Sequence, residues 1–313
     1  MGLPRKAKDS AFPLARVGKK RRTRIDLLPY ILVAPAVLLV LAITIYPAIY
    51  ATRLSLTNAE LTNLRSVEFI GLKNYREAFG DDILGKSVLG TLRYVLIVGS
   101  LQMLLALPVA LLLNTSFTGR GLVRGVIVIP WVIQAAVISI IWRFMVDSNF
   151  GVINDILVRL RIIPEYLAWM ADPLRSFVVV VAASMWAGFS FFAVTLLGVL
   201  QTIPDDLYEA ARVDGAGAWQ RFRYVTLPLI LPTVLLLMLL RTIGLAHSVD
   251  LIFLMTGGGP VYHNYTVAVY SFLLTWQRFE IAYPAALALM LSVVLLAASA
   301  VYIRFIQRSR EWM

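Results

Sequence analysis

Six stretches of this chain run for roughly the length of a membrane-crossing helix without one charged residue, and that pattern restricts the fold more than any motif. They are residues 27–52, 94–113, 125–142, 176–204, 224–240 and 281–303. A helix needs about 20 mostly apolar residues to cross a hydrocarbon core roughly 30 Å thick. The third and fifth stretches are short, and each extends past a single arginine. Composition agrees: 59% of residues are hydrophobic and 15% charged, against about 45–50% and about 25% in soluble domains. The expectation is an all-α polytopic membrane protein with six transmembrane helices.

A further uncharged run, 251–277, contains Thr256-Gly257-Gly258-Gly259-Pro260 and His263-Asn264. These residues would break a lipid-facing helix, and irregular backbone at membrane depth survives only inside protein or beside water. The run reads as a loop plus a short re-entrant or interfacial helix. Charge parity supports six spans. Arg5, Lys6, Lys8, Arg16, Lys19, Lys20, Arg21, Arg22 and Arg24 precede the first run, and Arg304, Arg308 and Arg310 follow the last. Basic residues mark the cytoplasmic side, so both termini belong there and the span count is even. The loops after spans two (Arg120, Arg124) and four are then cytoplasmic as well.

Residues 1–26 are expected to be a basic cytoplasmic tail rather than a cleaved signal peptide, since the first apolar run is too long and its basic flank too extended. Residues 27–313 form the transmembrane domain. The formal net charge of +11 follows from basic residues at span ends facing anionic lipid, so no nucleic-acid partner is expected. Outside, 154–160 has the pattern of a short amphipathic helix. No internal repeat is evident, which leaves the inverted repeats of many secondary transporters without support. There is no cysteine and there are two histidines, His247 and His263. Thiolate chemistry and a histidine metal cage are therefore excluded.

The loop between spans four and five has a structure of its own. Pro204 suits the first turn of a helix, and Asp205 and Asp206 suit its positive N-terminal end. Gly215 suits the left-handed position just past the C-terminus. The spacing predicts a three-turn helix over 204–214, with Leu207, Ala210 and Ala211 on one face. Two alanines there leave a flat surface that another protein can approach closely.

Glu209-Ala210-Ala211, three residues, Gly215, nine residues, Val225, one residue, Leu227-Pro228 resembles the coupling-loop motif of ABC importer permeases, with valine where that family usually has isoleucine. The loop spans 204–228. The resemblance extends along most of the chain. Ala34-Pro35-Ala36, Tyr46-Pro47, Ser55-Leu56-Thr57-Asn58, Phe69-Ile70-Gly71-Leu72-Lys73-Asn74-Tyr75, Gly119-Arg120-Gly121 with Ile129-Pro130, and Asp250 to Pro260 are similar to carbohydrate-uptake permeases, of the type found first in the two-permease sets of maltose and glycerol-3-phosphate importers. The resemblance implies a type I ABC importer permease fold in a bacterial or archaeal plasma membrane. It implies a second, non-identical permease, two copies of an ATPase subunit and an external solute-binding protein. Glu209, Ala210, Ala211, Asp214, Gly215, Leu227 and Pro228 would couple this subunit to the ATPase. The resemblance also implies that ATP and Mg would be bound by the partner ATPase, and that this chain would be a transport subunit without a cofactor or catalytic site.

Arg241 lies 13 residues beyond Pro228, roughly 20 Å along a helix, inside span five. Charged residues within spans are suspects for function. Two roles fit: recognition of an anionic sugar, or pairing with a carboxylate or helix carbonyls between subunits. Sugar sites combine aromatic rings with amide, hydroxyl and carboxylate groups. Trp131, Gln134, Trp186, Ser190 and Asp250 fit that chemistry, and the two tryptophans fit packing or interface anchoring equally. A secondary transporter or channel for a small polar solute is the other class to weigh. Ion coupling, however, calls for acidic or histidine side chains inside spans, and the six runs hold none.

Overall fold

The computed structural model describes residues 28–311, with side chains over 31–304; the basic tail 1–26 lies outside the described residues. Two units are distinguished, ending and beginning at Ala48 and Ile49. The first contains α1 (Leu28–Val40), a π-helical turn (Leu41–Ile45) and the start of α2 (Tyr46–Leu54). Its side chains from Ile31 onward are nearly all exposed, among them Ile31, Leu38 and Ile43.

The second unit continues with α3 (Lys73–Phe79), α4 (Asp82–Asn114), α5 (Arg120–Val132), α6 (Ala135–Met145), α7 (Val152–Arg159) and α8 (Pro173–Leu200). It is completed by α9 (Asp205–Val213), α10 (Ala218–Arg221), α11 (Leu227–Ala246), α12 (Asp250–Thr256), α13 (Val267–Gln277) and α14 (Ala282–Glu311). Among the described residues, five continuous helices are long and apolar enough to cross a membrane, and six spans result when α5 and α6 are taken as one broken span. The run 251–277 is not a span: it holds two short helices joined by a loop.

The third span corrects the reading of 125–142 as one helix. α5 and α6 meet at a 99° bend, with Ile133 and Gln134 both extended at the break. Pro130 precedes it. Proline lacks the N–H that would bond one turn back and so weakens the helix where it ends.

The core is the seam between α4 and α8. Tyr94, Val98, Gln102, Ala106 and Ala110 on α4, and Val180, Ser184, Gly188, Phe192 and Leu196 on α8, are buried at four-residue spacing. Spacing of four keeps each set on one helix face. In lipid, such helices associate through close packing of small residues and side-chain hydrogen bonds. The ends are capped. Asp81 accepts from the backbone N–H groups of Ile83 and Leu84 at the start of α4, and Asp172 accepts from Arg175 ahead of Pro173. At the other end of α4, the Leu113 carbonyl accepts from Arg120 Nε at 2.7 Å and Arg124 Nη2 at 3.4 Å. That is where a helix carries partial negative charge.

α11 ends at Ala246, and the chain then folds back. The N–H of Val267 donates to Thr91 Oγ1 at 2.9 Å. From there α13 runs along α4, so that Tyr270 reaches Asp81.

Candidate functional site

At the end of the spans that carries the 201–226 loop, α9 occupies Asp205–Val213, with Pro204 extended just before it, not inside the first turn as the sequence suggests. Its C-terminus closes in a Schellman turn. Ala216 N–H donates to Ala211 O at 2.9 Å and Gly215 N–H to Arg212 O at 3.0 Å, with Gly215 at φ +81°. A side chain at that φ would be strained, which explains the glycine. Arg221 Nη1 donates to Ala216 O, and Gln220 Oε1 accepts from Gly217 N–H; together they fold 214–221 onto α10.

α9 presents Leu207, Glu209, Ala210 and Val213 to the exterior, Val213 at 88% exposure. Ala211, next to Leu207 around the helix, is half-buried as is Tyr208, so Leu207, Ala210 and Val213 are the apolar residues left open. Asp214 caps the helix and is exposed. Leu227 and Pro228, half-buried, begin α11 directly after a π-helical turn at Phe222–Thr226.

The intramembrane residues form a second group. Arg241 on α11 donates from Nε to Gln102 Oε1 at 2.6 Å. Gln102 Nε2 donates to Ser184 O at 2.6 Å, and Ser184 Oγ pairs with Tyr94 OH at 2.8 Å. Among the described residues no carboxylate lies within ion-pair distance of Arg241. The guanidinium fits because position 188 is glycine. A Cβ there would stand 2.7 Å from Arg241 Nη2 and collide with the Gln102 amide.

The other sequence-selected residues are not gathered around Arg241. Trp131 is 53% exposed, its ring 5.5 Å from that of Phe191. Gln134 is exposed at the break of the third span, its side chain making no cap bond. Trp186 is half-buried and edge-on to Trp142. Ser190 is fully buried, its hydroxyl without a partner. Asp250 is exposed in the first turn of α12.

Gln102, Ser184, Gly188, Tyr208 and Thr226 were not singled out by sequence. Gln102 carried the one available signal, being the only amide in 94–113. Its pairing with a residue 139 positions away had none.

At the opposite end of the spans, Asp81 Oδ2 accepts from Tyr270 and Tyr283, both at 2.8 Å. Burial raises the pKa of Asp81, but four hydrogen bonds to the carboxylate outweigh it and hold the group below its ordinary value. Arg93 stacks on Phe177, 4.0 Å from the ring centroid, and donates to His263 Nε2 at 2.9 Å. Burial, then the charge of Arg93, lower the His263 pKa, against a smaller opposing pull from Asp172.

Comparison with known proteins bears on the family and the fold. Residues 102–311 match the family described as binding-protein-dependent transport system inner membrane component. The chain is 34% identical over 281 residues to the sulfoquinovosyl glycerol transport system permease protein SmoG of Agrobacterium fabrum, covering 90% of this chain and 91% of that protein. It is 31% identical over 277 residues to the trehalose/maltose transport system permease protein MalF of Thermococcus litoralis, covering 88% and 92%. A chain of a bacterial ABC transporter involved in the import of the acidic polysaccharide alginate shares the fold, with a TM-score of 0.75 at 22% identity over 90% of this chain and 96% of that one. With spans enough to cross a bilayer and matches of this extent, the chain belongs to the binding-protein-dependent inner membrane transport family: it is a multi-pass permease subunit of an ABC importer, a transport component and not an enzyme.

Proposed function

We propose that this permease forms half of the translocation path for a sugar or sugar derivative delivered by an external solute-binding protein. A second, non-identical permease forms the other half, and two copies of an ATPase subunit bind ATP and Mg beneath the pair. Both termini and the 201–226 loop lie in the cytoplasm. The observation that carries this reading is α9: an exposed Leu207, Ala210 and Val213 face, closed by Gly215 and joined to the first turn of α11. It supplies an exposed surface, apolar at Leu207, Ala210 and Val213 and acidic at Asp206 and Glu209, of the kind that a socket on the ATPase would cover.

The solute class rests on relatives whose names specify sulfoquinovosyl glycerol and trehalose/maltose. Within the path, Trp131 and Gln134 are the residues we assign to solute contact. They are exposed at a helix break, and broken helices line the sites of many transporters. Trp186, Arg241 and Asp250 are kept as further residues of the path, while Ser190, shut inside the subunit, is assigned no contact.

The test is co-purification. Wild-type permease is expected to bring the ATPase through detergent extraction, and Glu209→Lys to lose it together with uptake of labelled sugar. Unchanged association and uptake in that variant would overturn the reading.

A further inference from the structure

We infer that the hydroxyl pair Tyr208–Thr226 is the tie through which the docking helix moves span five, an inference that rests on the docking role proposed above for α9. Tyr208 OH lies 3.0 Å from Thr226 Oγ1. Among the described residues this is the only side-chain hydrogen bond between α9 and the rest of the chain. Thr226 is 4% exposed and closes the π-helical turn Phe222–Thr226, immediately before Leu227 and Pro228. Single π turns inside α-helices recur at functional positions.

The covalent connections of α9 are unequal, and this makes the bond matter. On the α8 side the link is short and ends in Pro204, whose ring fixes φ. On the α11 side the chain passes through Gly215 at φ +81° and Gly217, residues with the widest backbone freedom. A push on the exposed face of α9 would therefore reach α8 through a short link and α11 through a longer turn, closed by the Arg221–Ala216 and Gln220–Gly217 bonds, in which two glycines can yield. Tyr208 points inward from that face, beside Ala211, and bridges over the two glycines to the foot of α11. With the bond made, α9 carries α11 as well as α8. Without it, α9 can turn while α11 stays.

The absence of cysteine from the chain permits a clean test on the whole transporter. Spin labels are placed at Asp205→Cys in the first turn of α9 and His247→Cys at the far end of α11, both exposed, in a complex confirmed to retain its ATPase. Distances are measured before and after ATP with vanadate. The expected result is one distance peak that survives ATP–vanadate in the parent and broadens or moves in Tyr208→Phe and Thr226→Val. Thr226→Ser, which keeps the hydroxyl, should match the parent, and the double variant should be no worse than either single one.

A parent peak that itself moves, or variants that match the parent, would overturn the tie. Loss of the ATPase from Tyr208→Phe would also overturn it, by making the bond a folding requirement. A Glu209→Lys arm separates the two ideas. If that variant keeps its ATPase and its uptake of labelled sugar, the docking role fails. If it loses the ATPase while Tyr208→Phe leaves the distance unchanged, only the tie fails.

Discussion

Arg241 and Gln102 meet in the middle of the spans, the guanidinium Nε donating to the amide oxygen at 2.6 Å while the same amide's nitrogen donates to Ser184 O. A glutamine suits this place because it accepts at one end and donates at the other. Gln102→Leu would leave both an N–H of Arg241 and the Ser184 carbonyl without this partner. An unsatisfied buried polar group costs about 1–3 kcal/mol, so the variant should lose that order of stability, read as a lower thermal midpoint in detergent.

Gly188→Ala addresses the same cluster from the other side. The new methyl would push on Gln102 and on Arg241 Nη2. Overpacking a dense interior costs typically about 1–3 kcal/mol. The added methyl should lower the thermal midpoint, and Gly188→Ala combined with Gln102→Ala should recover part of the loss by removing the obstructing amide.

Asp81 gathers four donors on one carboxylate: Ile83 N–H, Leu84 N–H, Tyr270 OH and Tyr283 OH. Asp81→Asn keeps the shape but turns one acceptor atom into a donor facing either the backbone or the tyrosines. Hydrogen bonds to charged groups contribute about 1.5–3 kcal/mol each. The variant is expected to loosen α13 from α4, seen as faster hydrogen exchange across 267–277 than in the parent.

Asn154 is fully buried and uses both ends of its side chain. It donates to Asp147 O and Leu167 O, and accepts from Leu167 N–H and from Trp169 Nε1 at 2.8 Å. Asn154→Ala should release the Trp169 indole and open 147–169 to limited proteolysis at protease concentrations that leave the parent intact.

The contact of Arg93 with His263 predicts a pH effect of definite sign. A guanidinium only donates, so Nε2 must accept and the ring must be neutral. A histidine whose folded pKa lies below its unfolded value stabilises the fold above the unfolded value, near 6.5, and that contribution is lost as pH falls through the lower folded value. The thermal midpoint should therefore drop on acidification below about pH 6.5. His263→Gln, which keeps an acceptor but does not titrate, should flatten that part of the curve.

Length and hydropathy determined the helices of this protein. An uncharged stretch long enough to cross a bilayer has to satisfy its backbone internally, and a helix is the open-chain way to do so. The glycines and proline of 251–277 marked it as broken for the same reason. Helix α9 was legible too, from Asp205 and Asp206 at its start and Gly215 at its end, because helix caps are chosen by residues adjacent in sequence. Which side of α9 stays open was less so, since helical spacing groups Ala211 with Leu207 as readily as with Tyr208. Only the tertiary structure decided the 99° bend beside Gln134, the cradle that Gly188 makes for Arg241 and Gln102, and the reach of Tyr208 to Thr226. The bend turns on whether Pro130 ends its helix or only kinks it, and the cradle and the Tyr208 contact on how separate helices come to lie together; side chains without neighbouring partners in the chain carry no local pattern that announces whom they will meet.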